Sequence, residues 1–79
     1  MIMRFTVEVY GSLRARIKEY NGPFTLELPD GSTIGDAARA VGITPDDEWN
    51  ASIRGKFATS KDVIYDGDRL LLFDAIGGG

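Results

Sequence analysis

The chain closes on Leu70-Leu71-Leu72-Phe73-Asp74-Ala75-Ile76-Gly77-Gly78-Gly79, and this ending constrains the fold more than any other stretch. Four consecutive large apolar residues read as a buried strand. Such a strand belongs in the middle of a sheet, with neighbours on both edges. The preceding residues therefore have to supply those neighbours and a layer to cover them. Directly beyond the strand, glycines lack the side chains that would block a narrow channel or a close approach by another backbone. The expected division is a folded domain over residues 1–73 and a flexible C-terminal tail over residues 74–79. A carboxylate on Gly79 would have a pKa of about 3.5 and be an unreactive anion at neutral pH. Held out on a bare tail, it becomes a handle that another enzyme can activate. The plainer reading of the same residues is a frayed end without a role.

No covalent staple is available to hold this domain together. The 79 residues contain no cysteine and no histidine, which excludes disulfides, thiolate metal sites and the usual nucleophile–imidazole pairs. A net charge of −3 argues against nucleic acid as the main partner. The apolar runs are too short to span a bilayer, and no hydrophobic signal region follows Met1-Ile2-Met3-Arg4. The expectation is a cytoplasmic domain with few means of doing chemistry alone.

Along the chain, Arg4-Phe5-Thr6-Val7-Glu8-Val9-Tyr10 alternates with period two, which puts Phe5, Val7 and Val9 on one face of a strand. Ser12 to Tyr20 favours a short helix, with Leu13 and Ile17 four residues apart on one side. Asn21-Gly22-Pro23 stops it. Phe24, Leu26 and Leu28 alternate inward on a second strand, and Pro29-Asp30-Gly31 turns the chain. Thr33 is an N-cap candidate with Asp36 three residues on. Ile34, Ala37, Ala38 and Val41 then form a helical apolar stripe that ends at Gly42. Ala51 to Arg54 reads as a short strand, Lys56 to Ala58 as a brief hairpin partner, and Asp66-Gly67-Asp68 as a turn into the last strand, Arg69 to Phe73. Two early strands, one helix across the sheet and a central last strand make an α+β arrangement. It is a β-grasp, as in ubiquitin: a mixed sheet of four to five strands with one main helix.

Several residues invite functional readings that their context does not support. Asp46-Asp47-Glu48 lacks the spacing of a calcium loop and reads as a solvated acidic turn. Asp66 and Asp68 read as turn formers. Asp30-Gly31-Ser32-Thr33 has neither the glycines nor the lysine of a phosphate loop. Trp49 reads as a packing residue. Arg69 and Asp74 are expected to be solvated charges at the rim of whatever surface the last strand presents.

The combination resembles the small ubiquitin-like sulfur carriers of molybdopterin and thiamine synthesis, the MoaD-like and ThiS-like proteins. Val9-Tyr10-Gly11-Ser12-Leu13-Arg14 is similar to their first strand and turn, and Leu28-Pro29-Asp30-Gly31-Ser32-Thr33-Ile34 to their second strand running into the helix. Asp66-Gly67-Asp68-Arg69-Leu70-Leu71-Leu72-Phe73 with Ile76 and Gly78-Gly79 is similar to their closing strand and tail. Arg54-Gly55 stands where the family often has Asn-Gly, and Gly77 where alanine or threonine is more usual. The residues from Ser12 to Tyr20 look more like the molybdopterin branch, the small subunit of molybdopterin synthase.

The resemblance implies that the chain is a substrate protein, not an enzyme, and binds no cofactor of its own. A ubiquitin-activating-enzyme-like adenylyltransferase would use ATP to adenylate Gly79. A sulfur donor would then displace AMP and leave a thiocarboxylate. The acceptor would be a molybdopterin synthase large subunit or a thiazole synthase. Gly77 and Gly78 would thread the narrow part of the activating site. Leu71 and Phe73, which alternation puts on the sheet face away from the helix, and Ile76 in the tail would dock the partners. Neither nucleic acid nor membrane is implied. Two other readings use the same features: a protein modifier joined to target lysines through Gly79, and an interaction module that never uses its terminus.

Overall fold

The strands predicted from alternation form one sheet in the computed structural model, which describes residues 1–17, 20–43 and 49–74. Among the described residues, five strands, β1 (Ile2–Val9), β2 (Phe24–Pro29), β3 (Trp49–Ile53), β4 (Lys56–Ala58) and β5 (Arg69–Asp74), accompany one α-helix, α1 (Ile34–Ala40), and a 3-10 helix over Gly11–Arg16. The sheet order is β2-β1-β5-β3-β4. β5 runs parallel to β1, with Val7 beside Leu70 and Val9 beside Leu72. It runs antiparallel to β3, with Ala51 beside Leu72 and Ile53 beside Leu70. The most apolar strand is therefore central, as its composition requires.

One face of this mixed sheet carries the core. Met3, Phe5, Val7 and Val9 of β1, Leu70 and Leu72 of β5, and Ala51 and Ile53 of β3 are all buried, and they pack with Ile34, Ala37 and Ala38 of α1. Phe24, Leu26 and Leu28 also point inward but stay half-buried, because β2 is an edge strand. Leu13, Ile43 and Ile64 close the ends of the core. The two alanines on the helix stripe let α1 lie close to the sheet. This is the expected β-grasp architecture, with β5 reaching one residue further than its apolar run.

The start of α1 shows how the sequence sets a boundary. The Thr33 hydroxyl accepts from the Asp36 amide at 3.2 Å and the Asp36 carboxylate accepts from the Thr33 amide at 3.0 Å, a reciprocal capping box. The next two amides are satisfied from outside the helix: Ile34 donates to the Asp62 carbonyl and Gly35 to the Ser60 carbonyl, each at 2.9 Å. A Cβ at Gly35 would lie 3.1 Å from that Ser60 oxygen, so the close approach depends on glycine.

The segment after β1 differs from expectation. It forms a 3-10 helix that ends at Arg16, and Ile17 is already extended. A two-turn connector in which Leu13 alone is fully buried gains little from extending into an α-helix, and 3-10 turns are common in such short links.

Candidate functional site

The open face of the sheet is built by the residues that alternate with the core set. Strand pairing places Glu8, Leu71 and Ser52 side by side across β1, β5 and β3, and Phe57 of β4 beyond Ser52. Phe73 is paired with Asn50. Leu71 and Phe73 are half-buried on this face, whereas Leu70 and Leu72, one residue away, are completely buried. The structure thus brings two of the expected docking residues together. Ile76, Gly77, Gly78 and Gly79 lie outside the described residues.

Phe57 joins them, and local sequence reading missed it. Its ring centroid is 6.0 Å from that of Phe73 at an interplanar angle of 56°, and the residue is 81% exposed. The available signal was the two-residue turn before it. Arg54 and Gly55 have φ of 52° and 78°, the pattern of a hairpin turn with two left-handed residues. That turn fixes the register of β4 and with it the outward direction of Phe57. Arginine occupies a position that favours asparagine or glycine. It is held there by an ion pair with Asp68 and by its guanidinium lying 5.2 Å from the centre of the Tyr65 ring. Beside Phe57, a shallow depression of about 630 Å³ is lined by Arg54, Lys56, Lys61 and Tyr65 among others.

The other half of the open face is polar. The Arg4 guanidinium pairs with Glu27, its Nε donating at 2.8 Å. The Tyr10 hydroxyl and the Arg69 guanidinium both donate to Glu8. Tyr10 first, then Arg69, holds the Glu8 carboxyl below its ordinary range, and the same hydrogen bond raises the Tyr10 hydroxyl. Arg69 is therefore paired instead of being a free rim charge.

Asp74 is paired as well, contrary to expectation. Its carboxylate accepts from the Ser12 amide at 2.8 Å, the Ser12 hydroxyl at 2.9 Å and the Leu13 amide at 3.0 Å. These donors exist because the first amides of a helix have no partner within it. The two Ser12 hydrogen bonds, with help from Leu13, hold the Asp74 carboxyl below its usual value. Asp68 behaves as a turn former, its carboxylate accepting from the Tyr65 amide at 2.8 Å, whereas the Asp66 carboxylate accepts from the Arg4 amide at 2.8 Å and ties the turn to β1. Trp49 is half-buried against the core, and Asp46, Asp47 and Glu48 lie outside the described residues. Among the described residues, no cluster of three or more acidic, histidine or cysteine side chains could hold a metal ion, and no helix is long and apolar enough to cross a membrane.

This arrangement leaves Leu71, Phe73 and Phe57 as an apolar patch on the open face of the sheet, close to the last described residue of β5. Comparison with known proteins agrees with it. The family model described as the ThiS family matches residues 7–79. The crystal structure of small archaeal modifier protein 1 from H. volcanii aligns with a TM-score of 0.73 at 18% identity, covering 94% of this chain and 99% of that one. The solution structure of Urm1 from Trypanosoma brucei aligns at 0.66 and 12% identity, covering 99% and 97%. Ubiquitin from Caldiarchaeum subterraneum aligns at 0.62 and 17% identity over the whole of both chains. At these identities the structures show a shared fold. No match is found among curated proteins.

Proposed function

From the premise that the chain belongs to the ThiS family of ubiquitin-like sulfur carriers, we propose that it works through an activated Gly79 carboxylate and carries sulfur there as a thiocarboxylate. The observation that carries this reading is the extent of the family match, which spans residues 7–79 and so takes in Gly77-Gly78-Gly79.

A carboxylate resists attack until one oxygen becomes part of a leaving group. A partner enzyme would join Gly79 to the AMP portion of ATP, releasing pyrophosphate. A sulfur nucleophile would then displace AMP at the acyl carbon. The carrier itself needs no catalytic side chain, which accords with a sequence free of cysteine and histidine. Beyond β5, which ends at Asp74, residues 75–79 fully extended would reach at most about 18 Å, enough to enter a buried active site. Leu71 and Phe73, with Phe57 added from the structure, form the surface on which the activating and acceptor enzymes would dock. Ile76 would extend that surface along the tail.

The molybdopterin branch favoured by the residues from Ser12 to Tyr20 has less support than its alternatives, because the matching family model is that of ThiS. We therefore place sulfur delivery for a thiazole ahead of delivery to a molybdopterin synthase. A second reading, a protein modifier joined to lysines through Gly79, draws support from the folds of Urm1, small archaeal modifier protein 1 and ubiquitin.

The test is the intact mass after incubation with ATP, a sulfur source and the cognate activating enzyme. A gain equal to sulfur replacing one oxygen, located at Gly79 and abolished by Gly78→Val, is expected. An unchanged mass under conditions that charge a known carrier would sink the reading. Covalent ladders with other proteins would move it to the modifier.

A further inference from the structure

We propose that Asp74 is a positioning residue that latches the root of the C-terminal tail to the 3-10 helix, so that residues 75–79 start from one fixed point and direction. The role of this latch in activation rests on the sulfur-carrier reading; the latch itself does not.

Asp74 is held from two sides. Its backbone belongs to β5 and is paired with Trp49 of β3. Its side chain takes three hydrogen bonds, two from Ser12 and one from Leu13, across more than sixty positions of sequence. The helix that supplies these donors is itself fixed. Leu13 is only 3% exposed within the core, and the Tyr10 amide donates to the Leu72 carbonyl at 2.9 Å, which extends the β1–β5 pairing up to the helix. Charge-assisted bonds to backbone amides are stronger than neutral ones.

Gly11 makes the latch possible in two ways. Its φ of 69° is in the left-handed region, and a Cβ built there would lie 2.5 Å from Asp74 Oδ2. Any other residue would strain the turn and push against the carboxylate. Gly11, Ser12 and Asp74 thus form one unit at the point where the sheet gives way to the tail. The carboxylate is ionised at neutral pH, since the same hydrogen bonds lower its pKa.

A tail that pivots at its root sweeps its end through a large volume, and few docked complexes would then have the terminal carboxylate at the phosphate it must attack. Fixing the root raises that fraction without adding any contact to the enzyme. The latch should therefore act on turnover, while the open face governs docking.

The experiment compares Asp74→Ala, Ser12→Ala and the double variant in ATP–pyrophosphate exchange with the activating enzyme, resolved into kcat and the KM for the carrier. Amide exchange at Ser12 and Leu13 and amide relaxation at Ala75 are read alongside. Asp74→Ala is expected to lower kcat by about tenfold with KM changed by less than about twofold, the signature of lost positioning. Ser12→Ala should shift kcat in the same direction by less, and the double variant should be no worse than Asp74→Ala, because both changes break one unit. A raised KM with intact kcat, or effects that add in the double variant, would overturn the proposal in favour of direct contact with the enzyme. If Asp74→Ala fails to fold, Ser12→Ala decides by the same split. If the wild type is not activated at all, the sulfur-carrier reading fails, and the latch is judged by the amides alone. Faster exchange and a more mobile Ala75 in Asp74→Ala would uphold it; unchanged values would refute it.

Discussion

β5 presents two surfaces that differ in everything but backbone. On the helix side, Leu70 and Leu72 have no exposed area and sit among Val7, Val9, Ala51 and Ile53. On the open side, Leu71 and Phe73 are half-buried, and among the described residues the largely exposed Phe57 packs beside Phe73. Residues of the same chemical class, one position apart, are thus assigned different work by the alternation of a strand. The covered set holds the fold, and the uncovered set is the surface proposed for docking. A contiguous apolar surface left open on a small protein is more often a binding site than an accident. Changes at alternate positions of one strand should therefore separate stability from association.

The largest effect is expected on the covered side. Leu72→Ala should destabilise the fold by about 2–5 kcal/mol, from lost burial and the cavity left behind. For a domain this small that is a large share of total stability. The denaturation midpoint measures it, and a loss below about 1 kcal/mol would show that the two faces are less distinct than their burial implies. On the open side, Phe57→Ser should leave stability within about 0.5 kcal/mol, as for other exposed positions. Affinity for the activating enzyme should fall by about 2 kcal/mol if the ring is a docking anchor. Titration of the enzyme with folded variant checks this, and unaltered affinity would remove Phe57 from the docking surface.

The legibility of the two sides in the sequence was unequal for the same reason. Core positions repeat with the period of their element, so β1, β2, α1 and β5 could be read from local pattern, down to the capping box at Thr33 and Asp36. The turn at Asp66-Gly67-Asp68 was equally local. Phe57 was missed because its direction depends on a register set by the left-handed φ of Arg54. Asp74 was misread because its partners lie at the other end of the chain. Its parity was nonetheless visible: it follows Leu70 and Leu72 on the helix side of β5. An acidic residue at a core parity needs donors, and the open amides at the start of the 3-10 helix supply them. The 3-10 helix itself was beyond local reading, since the leucine–isoleucine spacing fits an α-helix equally well.

The smallest effect tests the polar half of the open face against pH. Glu8 has its folded pKa lowered, chiefly by Tyr10 and then by Arg69, and Tyr10 has its own raised, chiefly by Glu8. A lowered carboxyl contributes stability that is present above its unfolded pKa and lost as pH falls through the folded value. A raised phenol contributes stability that is present below its unfolded pKa and lost as pH rises through the folded value. The network should therefore contribute across the whole interval between about pH 4 and about pH 10, the ordinary carboxylate and tyrosine values, and fade beyond both ends. Asp36 and Asp74 are lowered too, so they add to the acid loss but not to the alkaline one. Tyr10→Phe should then flatten the alkaline side of a denaturation-midpoint profile and reduce the acid slope only in part. Because these side chains face solvent, added salt should weaken the Arg69 contribution. An alkaline limb unchanged in Tyr10→Phe would show that the Tyr10–Glu8 hydrogen bond does not persist in solution. The Glu8 carboxylate would then be held on the open face by Arg69 without Tyr10.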